Sequence, residues 1–174
     1  MRKLTKTSLC LYLVFFISII ILFTATFDAL SFIFRPTLLI PVSYAGFLIL
    51  KRTGIPVMFD GPIGFPGYCE YQLPHTTLQV TFGCIGIFVL FILISGIIAF
   101  PSSFRSKGIG LLIAIPAFYF YSMFRLVIIG IVGNWFPEYI DFVHSYLMEI
   151  INVGFILFVY VIWIRYVEKI AQTI

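Results

Sequence analysis

Three side chains whose types could do chemistry together are spread over three apolar segments of this chain: Cys84, Arg125 and His144. Cys84 lies in Thr81-Phe82-Gly83-Cys84-Ile85-Gly86-Ile87-Phe88, a few residues into a long apolar run that follows the only sizeable polar loop. Arg125 lies inside the next apolar segment and His144 inside the last. A thiol beside a cation and an imidazole loses its proton more readily and becomes a nucleophile. A fixed cation stabilises either that thiolate or a developing oxyanion. Each residue also has a plainer use. A free cysteine packs well in a core, a single buried histidine bridges helices, and Arg125 could snorkel to headgroups or pair with Glu149. A lone arginine in a spanning helix costs at least about 2.5 kcal/mol on insertion scales, so it must face a partner or a wet cavity.

Composition says what has to position these groups. The chain of 174 residues is 61% hydrophobic and only 10% charged, against roughly 25% charged in a soluble domain. Apolar runs of about 20 residues recur, the length that crosses a hydrocarbon core about 30 Å thick. The expected fold is all-α, a polytopic transmembrane bundle of about five spanning helices with a Gly/Pro-rich extracytoplasmic loop before the third. It forms one integral-membrane domain over residues 1–174, with N-terminal helices in 1–53 and a catalytic core in 54–164. The net charge of +4 comes from flanking Lys and Arg rather than a basic stripe, so nucleic acid is not an expected partner.

The helices are expected over residues 8–27, 36–50, 77–100, 109–133 and 138–164, with Pro36 opening the second, Pro41 kinking it and Pro116 kinking the fourth. The first is too long for a signal-peptide core and no small-x-small cleavage site follows it, so it counts as a span. Residues 1–6 form a basic tail, residues 101–108 a tight basic turn, and Arg165, Glu168 and Lys169 a polar tail. Between the second and third helices, residues 53–76 interleave Gly54, Gly61, Gly64 and Gly67 with Pro56, Pro62, Pro66 and Pro74, which reads as turns or short extended pieces. Such backbone is unsatisfied in lipid and belongs at the surface or against protein. It is either a plain solvated connector or a substrate-facing lip.

With outer boundaries at Thr77, Gly133 and Glu138, the three reactive residues lie six to eight residues inside, about 9 to 12 Å below the surface at 1.5 Å per residue. Asp141, three residues before His144, would share its helix face and orient the ring. Cys10 reads as core packing, and Cys69 with His75 as a weaker second thiol–imidazole pair in the loop. Glu149 and Asn152 read as interhelical hydrogen-bonding residues. No CxxC or Cys/His ligand spacing is present, so neither a metal nor another cofactor is expected. Arg105/Lys107 and Arg165/Lys169 argue for cytoplasmic ends, placing the Cys84 level near the outer face. Five spans then put the basic N-terminus outside, against the positive-inside tendency; four spans with one early re-entrant helix restore it. Five is the expectation taken forward.

The order of these motifs resembles the exosortase/archaeosortase family. Cys84-Ile85-Gly86 at the head of a helix is similar to that family's Cys-Ser/Thr-Gly element. Ile115-Pro116 and Phe124-Arg125-Leu126 resemble its helix ending in Asn-x-x-Arg, and Asp141-Phe142-Val143-His144 its final histidine element. The likeness covers about residues 54–163. Ile85 stands where the family has a small hydroxyl residue, and Ser122 where it has Asn. The resemblance implies an intramembrane cysteine transpeptidase with Cys84 as nucleophile, Arg125 as transition-state stabiliser and His144 as general acid/base; Asp141, from its spacing, and Ser122 are the further candidates for supporting roles. Its substrates would be exported proteins ending in a motif, a hydrophobic helix and a basic tail, passed through a thioester to an acceptor such as an amine on a lipid or glycan. Two other classes compete: a non-enzymatic transporter or assembly subunit with a buried Arg/His network, and a thiol acyltransferase or plain intramembrane protease. No inverted repeat or paired broken helices are visible, which weighs against a transporter.

Overall fold

A computed structural model describes residues 6–64 and 67–173; the expected basic tail ahead of Lys6, and Pro66, lie outside the described residues. Helix α1 (Lys6–Ala25) is followed by α2 (Phe27–Phe34), which passes without a break through one π-turn (Arg35–Leu39) into α3 (Ile40–Arg52). Pro36 was expected to open this helix, but the helix starts a full eight residues before the turn. Proline has no N–H and its ring crowds the carbonyl four residues back. The ladder widens between Pro36 and Pro41, where Ile40 N–H reaches Arg35 O, five residues back. Strands β1 (Met58–Ile63), β2 (Tyr68–Gln72) and β3 (Thr77–Val80) come next, then the one-turn α4 (Phe82–Ile85), α5 (Ile87–Ala99) and the long α6 (Phe104–Trp135). The last arm opens with a 3₁₀ turn (Pro137–Tyr139), α7 (Ile140–Phe142) and a second π-turn (Val143–Leu147), and ends in α8 (Met148–Thr173).

The helical membrane bundle is as expected, with differences in its connections. The Gly/Pro segment is an antiparallel three-stranded sheet in the order β1-β2-β3, seated against α3. Its inward residues Cys69, Tyr71 and Val80 are buried, and Tyr71 donates its O–H to Ser43 O at 2.5 Å. The third helix does not start at Thr77. Residues 77–80 pair with β2, and Gly86 at φ +76° separates α4 from α5. The basic turn after α5 is shorter than expected because Ser103 Oγ accepts from Ser106 N–H at 3.3 Å and starts α6 early. The C-terminal helix continues past residue 164 through Arg165, Glu168 and Lys169, all good helix formers.

α1 packs on α5, α3 on α6, and α8 against α5 and α6. Small residues allow the close approaches. A Cβ on Gly110 would lie 2.6 Å from Trp163 Nε1, and that indole donates to Ser106 O at 3.0 Å. Small-residue contacts of this kind dominate helix packing in membranes, where lipid is as apolar as the core. Among the described residues, three helices, Phe27–Arg52, Phe104–Trp135 and Pro137–Lys169, are long and apolar enough to cross a membrane; Cys10–Ala25 and Ile87–Ala99 are shorter apolar helices. Leu11 and Phe15 on α1 and Ile150, Leu157 and Phe158 on α8 are exposed apolar residues, fitted to face lipid.

Candidate active site

The site forms where β3 turns into the bundle. Thr81 is extended (φ −101°, ψ 176°) and leads into α4, closed by Ile85 N–H to Thr81 O at 3.2 Å and Gly86 N–H to Gly83 O at 3.0 Å. Cys84 therefore sits on an isolated helical turn ahead of α5, not within a spanning helix. Its Sγ lies 3.4 Å from His144 Nε2, donates to Gln79 O at 3.4 Å and accepts from Thr81 Oγ1 at 3.5 Å. Burial pushes the Cys84 thiol up, but hydrogen bonds from His144 and Thr81 outweigh it and bring it down to about 7. His144 is delivered by the π-turn of the last arm, where Met148 N–H reaches back to Val143 O. Such insertions recur at functional sites because they re-aim one side chain without ending the helix.

Arg125 is 2% exposed. Its Nη1 donates to Asn152 Oδ1 at 3.3 Å, and Tyr121 donates its O–H to the same oxygen. Among the described residues the buried Arg125 Nε–H has no partner. The guanidinium lies against Gly86, where an added Cβ would come within 3.0 Å of Nη1. One turn earlier, Ser122 Oγ donates to Ile85 O at 2.7 Å. Helix α6 thus grips the turn after Cys84 at two successive residues. Glycine is required at position 86 twice over, by the positive φ and by the arginine beside it.

The structure brings Cys84 and His144 into contact and sets Arg125 and Ser122 behind the cysteine turn. It does not bring Asp141 in: that side chain is exposed and makes no hydrogen bond to the ring. Glu149 is likewise exposed, and Arg125 is held by the neutral Asn152 instead. Cys69 is buried while His75 is exposed on the β2–β3 turn, so these two are not a pair. Burial raises the Cys69 thiol, against the opposing hydrogen bond from Ser43 and charge of Arg35. Cys10 is exposed on α1 rather than packed in the core. A cavity of about 190 Å³ opens onto Cys84 and His144, walled by all of β3 and by α6 residues Leu126 and Ile129.

The family model described as Transmembrane exosortase (Exosortase_EpsH) matches residues 5–167. The chain belongs to the transmembrane exosortase family. No curated protein and no solved structure matches it. In this family member the match reaches back over α1 to α3, beyond the 54–163 stretch that carries the motif resemblance. Three contributors were not singled out in the sequence. Thr81, three residues before Cys84, is placed to meet the thiol across a single helical turn. Tyr121 precedes Arg125 by four residues and so shares its helix face. The Gln79 carbonyl is a backbone group and leaves no signal in residue type.

Proposed function

We propose that this transmembrane exosortase is a cysteine transpeptidase that cleaves the C-terminal sorting signal of exported proteins. The observation that carries the reading is the 3.4 Å contact between Cys84 Sγ and His144 Nε2, with a buried guanidinium directly behind the cysteine turn. The substrate's terminal hydrophobic helix lies in the membrane beside the bundle, its motif at the extracytoplasmic end where the cavity opens. His144 takes the Cys84 proton as the sulfur attacks the scissile carbonyl, forming a C–S bond and an oxyanion. Arg125, whose guanidinium lies against the turn that carries Cys84, stabilises that oxyanion. As the C–N bond breaks, His144 returns the proton to the leaving amine. The thioester on Cys84 is then resolved by an acceptor amine, on a lipid or glycan, or by water. In this reading the enzyme resides in the cell membrane as a multi-pass protein.

The test is processing of an exported protein with a motif–helix–basic tail in cells carrying Cys84→Ala or Cys84→Ser, with Cys69→Ala alongside and membrane levels checked by blot. Uncleaved substrate in the Cys84 variants alone supports the reading, and mass spectrometry of the new C-terminus separates transfer from hydrolysis. Normal cleavage in the Cys84 variants removes it and returns the Arg/His cluster to a structural or transport role.

A further inference from the structure

The free edge of the sheet runs into the nucleophile. Among the described residues β3 is an outer strand, paired only with β2. Leu73 N–H bonds Thr76 O at 2.9 Å across the hairpin turn, and this sets the phase of the ladder. In an antiparallel pair, hydrogen-bonded and non-bonded residue pairs alternate. With Leu73/Thr76 bonded, Tyr71/Leu78 and Cys69/Val80 are the bonded pairs. Thr77 and Gln79 are the non-bonded ones, and their N–H and C=O groups point away from β2. The contact of Cys84 with Gln79 O fits this phase: the thiol meets a carbonyl that β2 does not use.

The two edges of the sheet are not alike. β1 carries Pro62, and its register slips between Asp60 and Ile63; prolines and bulges both discourage further pairing. β3, Thr77-Leu78-Gln79-Val80, has neither. The cavity lies along this clean edge, lined by all four β3 residues together with Cys84 and His144. Its volume of about 190 Å³ is below the roughly 300 Å³ of a typical small-molecule site. It suits one or two side chains of a chain that continues beyond it.

We propose that the substrate's sorting motif binds as a fourth strand on the open edge of β3, hydrogen-bonded to the backbone of Thr77 and Gln79, which carries its scissile carbonyl to Cys84. This rests on the transpeptidase reading above. Strand addition draws affinity from main-chain hydrogen bonds and specificity from pockets for alternate side chains. A segment that precedes a membrane helix gains doubly, because its N–H and C=O groups need partners as they approach lipid. The same edge explains the resting thiol: Cys84 occupies the Gln79 carbonyl until a substrate N–H takes that acceptor and the thiol proton passes to His144.

The test keeps the full-length enzyme in detergent or vesicles. The probe is a synthetic peptide copying the residues around the bond cleaved in the processed substrate. Single N-methyl groups are placed one at a time on residues upstream of the cleaved bond, outside the two that flank it. Each removes one N–H donor. The expected result has a period of two: at least tenfold slower cleavage at alternate residues and less than twofold change between them. As a check on the enzyme side, Gln79→Pro should lose at least tenfold in cleavage while Cys84 alkylation keeps its rate. Uniform tolerance of N-methylation, loss without alternation, or wild-type cleavage by Gln79→Pro overturns the strand. If the unmodified peptide is not cleaved, or is cleaved equally by Cys84→Ala, the transpeptidase reading fails and the strand falls with it.

Discussion

Asn152 gives the sharpest mutational test, because one oxygen serves two donors. Asn152→Ala removes the acceptor of both Arg125 Nη1 and the Tyr121 hydroxyl in a place where Asn152 is 7% exposed and Arg125 2%. A hydrogen bond involving a charged group contributes about 1.5–3 kcal/mol. The 3.3 Å length is beyond the ordinary 2.9–3.0 Å mode, and interhelical bonds in membranes average only about 0.6 kcal/mol. Together these place the loss at about 1.5–2.5 kcal/mol, roughly 10- to 70-fold in rate if Arg125 must be held to stabilise the oxyanion. Arg125 also remains against Gly86, so the loss should be smaller than for Arg125→Ala. Tyr121→Phe leaves Asn152 to the arginine alone and should cost less than fivefold. The assay is turnover of a sorting-signal peptide by purified enzyme, with kcat and KM separated and Cys84 alkylation measured in parallel. The loss should fall in kcat with alkylation unchanged, since Asn152 acts through Arg125 rather than on the thiol. Turnover by Asn152→Ala within twofold of wild type, with Arg125→Ala inactive, would refute the idea that Asn152 positions the arginine.

Three further outcomes follow from the same geometry. Gly86→Ala should abolish processing and lower stability: a left-handed non-glycine residue costs about 1–2 kcal/mol, and its Cβ would press Arg125 Nη1 at 3.0 Å; thermal unfolding and peptide turnover check both. Cys84 alkylation by a neutral haloacetamide should reach half its maximal rate near pH 7, because thiolate accumulates as pH rises through the lowered value; His144→Ala should move that midpoint upward, since burial then acts with less opposition. Ser122→Ala should leave the buried Ile85 carbonyl short of a donor, costing about 1–3 kcal/mol in unfolding free energy and a measurable fraction of turnover, with Ser122→Thr restoring part of each.

Apolar composition and span length made the bundle legible in the sequence, and the types of Cys84, Arg125 and His144 drew attention to three segments. What was not legible is how the cysteine is presented. Residues 77–81, Thr-Leu-Gln-Val-Thr, alternate in polarity and are rich in β-branched side chains, a strand pattern. Beside nineteen further mostly apolar residues it passes for a helix start. Pairing with β2 decides the matter, and that is a tertiary contact. Asp141 shows the opposite error. Spacing of three residues promised a shared face with His144, yet Asp141 lies in α7 and His144 in the π-turn that follows it, and a face defined for one regular helix does not persist across that change. Ile85 and Ser122, the two departures from the family pattern, touch each other: the serine hydroxyl bonds the Ile85 carbonyl, while the isoleucine side chain is fully buried.

Why Cys84 sits on a broken helix follows from where hydrogen bonds go. A continuous helix from Thr81 onward would direct the Val89 N–H to the Ile85 carbonyl. With Gly86 left-handed, that N–H bonds Gly86 O at 2.9 Å instead, and Ile85 O is released from the ladder. Backbone polar groups cannot stay unpaired beside lipid, so the break persists only where another element supplies a donor. Helix α6 does so with Ser122, and three residues further on, on the same face, it places Arg125 against the glycine that makes the break. The groups that satisfy the interrupted backbone are therefore the ones that bring a cation to the cysteine turn. On the other side of that turn the sheet offers Gln79 O and the last arm offers His144. At this interruption bundle, sheet and final helix all reach the same turn.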